Sequence, residues 1–234
     1  MSAAAPFVAL EAFDWTTSCL AEACFSLELP VRLGPPGLTA LIPAARVAGP
    51  VAPVVHAGEA DVLLEAIGGA AWGDVLVVDN NGRLDEGCVG ELIAAEALAT
   101  GLGGVIIDGA HRDSTALRTL GLPLWSRGRC VAGPRESRRR HATALQAATC
   151  GPTTVTRDDA IFADEDGVVF VARAECARVI ERARAIAVHA QAQAARIESG
   201  ESLRDQLQLS AFLERRESDP DYTFRKHLQG LARP

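Results

Sequence analysis

Apolar residues fall along this chain in two rhythms, and each predicts a different element. Val75-Leu76-Val77-Val78, closed by Asp79-Asn80-Asn81-Gly82, and Val105-Ile106-Ile107-Asp108 are short apolar runs bounded by turn residues. Runs of that length read as strands buried on both faces. Between them, residues 91–100 place Leu92, Ala95 and Ala99 near helical spacing, until Gly101, Gly103 and Gly104 stop the pattern. Strand, helix and strand over about 35 residues is the signature of a βαβ unit. Residues 18–25 and 61–67 predict two further helices, the second with Val62, Leu63 and Ala66 on one side. Residues 34–55, rich in Gly, Pro and β-branched side chains, predict strands separated by tight corners, and residues 122–125 and 167–171 predict two more strands.

From residue 173 the rhythm changes. Val179, Ala183, Ile186, Ala190, Ala194 and Ile197 step by three or four and lay one apolar stripe on a helix running to about residue 198. Gly200 breaks it, and residues 202–216 predict a second helix anchored by Leu203, Leu207 and Leu213, followed by a short tail between Pro220 and Pro234. Alanine-rich, narrow-faced helices of this kind predict packing against a neighbour, hence self-association. The division expected is an α/β domain over residues 1–172 and a helical extension over residues 173–234.

Composition acts mainly by exclusion. With 234 residues the chain can bury a core without disulfide or metal staples. Its net charge of −7 argues against wrapping a nucleic-acid backbone, which calls for a basic stripe. The six cysteines, Cys19, Cys24, Cys88, Cys130, Cys150 and Cys176, show no CxxC pair and no histidine at zinc spacing, so they read as free thiols of a reducing cytosol. Residues 1–14 lack a basic region ahead of an apolar stretch, and Pro43, Arg46, Pro50 and Pro53 interrupt the longest apolar segment. A cytoplasmic protein with no nucleic-acid and no membrane partner is expected. The single lysine, Lys226, leaves Schiff-base and Walker-loop chemistry dependent on one tail residue.

Two places set charged groups where chemistry happens. Asp108-Gly109-Ala110-His111-Arg112-Asp113 follows a buried strand at its carboxyl end, where ligands gather in α/β sheets. Arg112 offers a planar fork for a carboxylate, and Asp113 a hard oxygen ligand for Mg²⁺ or Mn²⁺. The same pair equally reads as a turn that satisfies loop backbone groups. Gly90 opens a helix whose first N–H groups favour anions, and Glu91 there is either a general base or a complement to the helix dipole. The five histidines are too dispersed for a metal site, and His111, beside the Arg-Asp pair, reads more simply as a solvated bystander. Arg138-Arg139-Arg140 reads as a solvated loop face.

Taken in order, Gly73-Asp74-Val75-Leu76-Val77-Val78-Asp79, Gly90-Glu91-Leu92-Ile93-Ala94 and Val105-Ile106-Ile107-Asp108-Gly109-Ala110-His111-Arg112-Asp113 resemble the RraA-like family. The resemblance continues through Leu122-Pro123-Leu124-Trp125-Ser126 and Asp164-Glu165-Asp166-Gly167-Val168-Val169 and spans about residues 16–201. That family joins regulators of ribonuclease E activity to divalent-metal-dependent 4-hydroxy-4-methyl-2-oxoglutarate / 4-carboxy-4-hydroxy-2-oxoadipate aldolases. The resemblance implies a compact α/β domain with a central mixed β-structure of ββα units, assembled as a trimer or hexamer with the site between subunits. It implies Asp113 as the direct ligand of Mg²⁺ (or Mn²⁺), Arg112 on the pyruvoyl group of a small 2-oxo acid, and Gly90, Glu91, Leu92 and Ile93 presenting backbone N–H groups. Glu91, where many members carry Asp, would orient the water that protonates the pyruvate enolate.

Glu22 and Glu201 match two further acids near the metal or its waters, Glu201 from a neighbouring subunit. The C-terminal extension favours the aldolase branch: cleavage of a 4-hydroxy-2-oxo acid to pyruvate through a metal-stabilised enolate, with oxaloacetate decarboxylation by the same chemistry. The alternative is a non-enzymatic regulator of ribonuclease activity acting by protein–protein binding.

Overall fold

The computed structural model describes residues 14–135 and 139–231, so the expectations for residues 1–13 and for Arg138 lie outside the described residues. The chain divides into two compact units, residues 1–184 and 185–234. The first begins with α1 (Thr17–Ser26), β1 (Arg32–Leu33), β2 (Thr39–Ala40), β3 (Val47–Val55) and α2 (Asp61–Gly68). It continues with β4 (Val75–Val89), α3 (Glu91–Ala99), β5 (Gly104–His111), α4 (Ser114–Leu120) and β6 (Leu124–Arg129). Next come β7 (Ala147–Cys150), β8 (Thr153–Thr156), β9 (Asp159–Ala163) and β10 (Val168–Ala172). A three-residue 3₁₀ turn then leads into α5 (Cys176–Glu198).

Eight strands form one mixed sheet in the order β1-β10-β9-β3-β4-β5-β6-β2, while β7 and β8 pair separately. The four central strands β3, β4, β5 and β6 run parallel. The flanking pairs β3–β9, β9–β10, β1–β10 and β2–β6 are antiparallel. The fold is thus mixed α/β with C-terminal helices. Its parallel centre is apolar on both faces, as the runs at Val75 and Val105 predict. Leu76, Val78, Val105 and Ile107 pack with Val62, Leu63 and Ile67 of α2 and Ala94 and Ala97 of α3. Val75, Val77 and Ile106 face the other way, onto Trp125, Ile161 and Phe170. Trp125 is fully buried, and its indole N–H donates to the Asp164 carbonyl at 2.9 Å. The Asp164 carboxylate in turn accepts from the Thr17 N–H at 2.7 Å and the Thr17 hydroxyl at 2.6 Å, which pins the start of α1 to the β9–β10 turn.

Three elements differ from the sequence reading. β4 does not close at residues 79–82 but pairs on to Val89, because its polar residues find partners instead of ending the ladder. Asp79 accepts from the Thr149 N–H at 2.9 Å, and Asn80 bonds His56 at 2.9 Å. From Val75 to Val89 the strand advances 14 residues while β5, from Gly104 to His111, advances 7, so β4 bulges through three register shifts. β6 starts at Leu124, two residues later than expected, since Pro123 contributes only a carbonyl, which accepts from the Val105 N–H at 2.9 Å. The helix expected over residues 202–216 is two, α6 (Leu203–Gln206) and α7 (Leu209–Ser218). The Leu207 carbonyl between them accepts from His227 Nε2 at 2.9 Å.

His227 belongs to α8 (Phe224–Leu231), a helix in the stretch expected to be a tail. There Phe212, Tyr222, Phe224 and His227 form an aromatic cluster within the second unit. Along α5 the apolar stripe is buried at Val179 and Ala183 and exposed at Ala190, Ala194 and Ile197. Among the described residues no helix is long and apolar enough to cross a membrane.

Candidate active site

β4 and β5 end level with one another, Val89 opposite His111. The chain leaving β4 enters α3 through Gly90, and the chain leaving β5 delivers Arg112 and Asp113 ahead of α4. The Arg112 N–H donates to the Val89 carbonyl at 2.9 Å, which ties the two exits together. Glycines make room for the arginine. A methyl on Gly90 would lie 2.8 Å from Arg112 Nε and run into the Asp113 carboxylate, and one on Gly133 would lie 2.7 Å from Arg112 Nη1.

Asp113 holds φ 61° and ψ 38°, a left-handed conformation that costs a residue with a Cβ about 1–2 kcal/mol. Glu28, Ala44, Asn81 and Gln208 also hold a positive φ, so what sets Asp113 apart is its place at the strand end beside Arg112. The Asp113 carboxylate accepts from the Glu91 N–H at 3.2 Å and lies 3.6 Å from Arg112 Nε, with both side chains just under half exposed. The first intrahelical bond of α3 is Ala94 N–H to the Gly90 carbonyl at 3.1 Å, so the N–H groups of Leu92 and Ile93 precede it and are available to an anion. Gly90, Leu92, Ile93, Arg112, Gly133 and His56 line a cleft of about 300 Å³.

The structure therefore brings Gly90, Glu91, Leu92, Ile93, Arg112 and Asp113 together. Glu22 stands exposed on α1 and is not among the residues lining the cleft. Glu201 lies in the second unit, where its carboxylate is paired with the Arg196 guanidinium, Nε at 2.6 Å, and that hydrogen bond holds its pKa below the usual carboxylate range. No cluster of three His, Cys, Asp or Glu exists among the described residues. Asp113 stands beside Arg112 at the edge of the cleft, and Glu59 is a second carboxylate, on the cleft lining itself. One half-exposed carboxylate fits a hard cation that keeps most of its waters, as Mg²⁺ does, and does not fit a zinc centre.

His111 is a buried structural residue and no solvated bystander, because β5 runs through it to the strand end. It is 5% exposed, with Nδ1 2.7 Å from the Ser126 hydroxyl and Nε2 2.8 Å from the Ser114 hydroxyl. Ser126 donates to the Gly128 carbonyl at 3.0 Å, so it accepts from the imidazole N–H, and Nε2 accepts from Ser114. Burial pushes the His111 pKa below its usual 6.5, and Arg118 and Arg129 push it further down. The unfolded chain therefore binds more protons than the folded one on the acid side. Stability from this group is fully present above the unfolded value and is lost as the pH falls below it. Urea midpoints measured between about pH 7.5 and pH 5 should fall on acidification, and less steeply in His111→Gln.

The sequence reading missed a buried ionic chain behind the cleft. Glu86, 1% exposed, lies 3.2 Å from Arg83 Nη1 and 3.7 Å from His56 Nδ1. Nothing in the polar stretch Arg83-Leu84-Asp85-Glu86 signals burial, because only the bulge of β4 turns Glu86 inward. The six cysteines are unpaired. Burial lifts the Cys88, Cys150 and Cys176 thiols to about 12, which keeps them protonated and unreactive.

A parallel-centred sheet whose adjacent strand ends present a helix N-terminus, an arginine and an aspartate in the left-handed region is the α/β setting of the candidate site. The chain belongs to the RraA-like family: the family model described as Aldolase/RraA matches residues 17–170. A Halalkalibacterium halodurans protein provisionally named a 4-hydroxy-4-methyl-2-oxoglutarate aldolase is 29% identical over 140 residues, 59% of this chain. The match spans 66% of that relative's length, just under two thirds. A crystal structure of an uncharacterized protein from Pseudomonas syringae pv. tomato is 27% identical with a TM-score of 0.75, covering 86% of this chain and 96% of that one. The structure of Streptomyces coelicolor RraAS2, described as an unusual member of the RNase ES inhibitor RraA family, shares the fold at 24% identity and a TM-score of 0.66, over 77% and 91% of the two chains.

Proposed function

We propose that this protein is a divalent-metal-dependent lyase that cleaves a 4-hydroxy-2-oxo acid to pyruvate and also decarboxylates oxaloacetate. The observation that carries the reading is the strained Asp113, set beside Arg112 and tied to the first turn of α3. The name of the Halalkalibacterium halodurans relative supports the aldol direction.

Asp113 would hold Mg²⁺ or Mn²⁺, which when bound supplies Lewis-acid polarisation of the 2-oxo group. Arg112 pairs its planar fork with the substrate carboxylate and fixes the acid's orientation. The N–H groups of Leu92 and Ile93 add donors aimed where negative charge builds up as the carbon–carbon bond breaks. The backbone N–H of Glu91 is spent on Asp113, but its side chain is exposed beside the cleft and can hold the water that returns a proton to the pyruvate methyl carbon. Glu22 and, from a neighbouring subunit of a trimer or hexamer, Glu201 would complete the acid set around the metal's waters. For Glu201 this requires exchanging the Arg196 pairing.

Pyruvate release coupled to a dehydrogenase, from oxaloacetate and from 4-hydroxy-4-methyl-2-oxoglutarate, tests the proposal. Release with Mg²⁺ that stops on adding a chelator is expected. Metal binding without pyruvate from either compound overturns the substrate class, and neither binding nor release would favour the ribonuclease-regulator alternative.

A further inference from the structure

A second hollow, of about 270 Å³, opens beside the start of α4. Its lining includes Thr39, His111, Ser114, Ser126 and two arginines, Arg118 from α4 and Arg129 from the end of β6. It shares no lining residue with the cleft at Arg112.

The arginines stand apart from most others in the first unit. Arg32 pairs with Asp159, Arg127 with Asp108, Arg140 with Glu65 and Arg178 with Glu175. Arg118 and Arg129, both exposed, are not in any of the ion pairs found among the described residues. The chain has 30 acidic residues for 23 lysines and arginines, so it does not lack acids to pair them. Both side chains are solvent-exposed, so water and salt screen them from each other, and an oxyanion seated in the hollow would gain from both guanidiniums.

The rest of the lining suits such a guest. His111 is held between Ser114 and Ser126 by hydrogen bonds, and both serine hydroxyls are fixed by it. The guanidiniums, each a planar fork of donors matched to phosphate and carboxylate oxygens, are left as the recognition elements.

We propose that the hollow between Arg118 and Arg129 is a binding site for a small oxyanion, a phosphate or carboxylate group, separate from the Arg112–Asp113 cleft. The site does not depend on the lyase reading. Ser114 follows Asp113 in the chain and Arg118 lies on the same short helix, so the two sites share α4.

Thermal unfolding of the full chain tests this, with inorganic phosphate and malonate each compared against chloride at matched ionic strength. A saturable rise in Tm beyond that in chloride is expected for at least one, and the preferred anion distinguishes a phosphate-bearing from a carboxylate-bearing ligand. The rise should persist in Arg112→Ala. Its half-saturating concentration should increase at least about tenfold in Arg118→Ala or Arg129→Ala, and the rise should vanish in the double variant. The double variant's own cooperative transition in chloride shows that it folds. No rise beyond chloride with either anion, a rise lost in Arg112→Ala, or one unchanged in the double variant would each overturn the proposal.

Discussion

Asp113→Gly is expected to abolish metal-dependent pyruvate release while leaving the unfolding free energy within about 1 kcal/mol of the parent chain. Two opposing terms set the stability. The residue sits at φ 61°, where a Cβ costs about 1–2 kcal/mol and glycine pays nothing. Against that, the substitution removes the acceptor of the Glu91 N–H bond at 3.2 Å, worth about 1 kcal/mol at a half-exposed position where water can substitute. The chemistry has no such compensation, because Asp113 is the carboxylate held between the Glu91 N–H and Arg112, whereas Glu59 of the cleft lining has neither contact among the described residues. Urea denaturation and Mg²⁺ titration calorimetry on one preparation separate the two effects. Undiminished release in Asp113→Gly would remove Asp113 from the role assigned to it.

Gly90→Ala should reduce kcat/KM for pyruvate release by about 100-fold, the scale of a misplacement near 1 Å at a reacting centre. The backbone at Gly90, φ −125° and ψ −169°, is open to alanine, so the fold meets no conformational penalty. The collision falls on the site instead: the new methyl would stand 2.8 Å from Arg112 Nε and against the Asp113 carboxylate, so both must move. Gly68→Ala is the matched control, since a methyl there meets nothing within 4 Å. Equal kinetics in the two variants would show that Arg112 and Asp113 are not held where the reaction needs them.

The central architecture is legible in the sequence because it rests on local periodicity. The runs at Val75 and Val105 have no polar face to show solvent, so they had to become interior strands, and the glycines after residue 100 stop α3 where they are expected to. The Arg112–Asp113 pair is legible because it follows the buried run at Val105 closely, whereas Gly90 is legible only as the start of a helix, since the strand that delivers it runs on past the turn residues 79–82. His111 misleads because its three-residue distance from Ser114 and its fifteen-residue distance from Ser126 acquire meaning only when β5, β6 and α4 meet around it.

By itself the apolar spacing determined the α/β class and the helical character of the C-terminal stretch, both properties of short segments; the mixed sheet and the joining of the Gly90 and Arg112 turns in one site came from the resemblance to the RraA-like family. Tertiary structure alone decided the left-handed backbone of Asp113, the glycine cradle around Arg112, the burial of Glu86 and His111, and the placing of Arg118 and Arg129 on one hollow. Each of these depends on contacts between segments distant along the chain or on how β4 bulges past β5. The energy that selects them belongs to packing across strands, which no local pattern encodes.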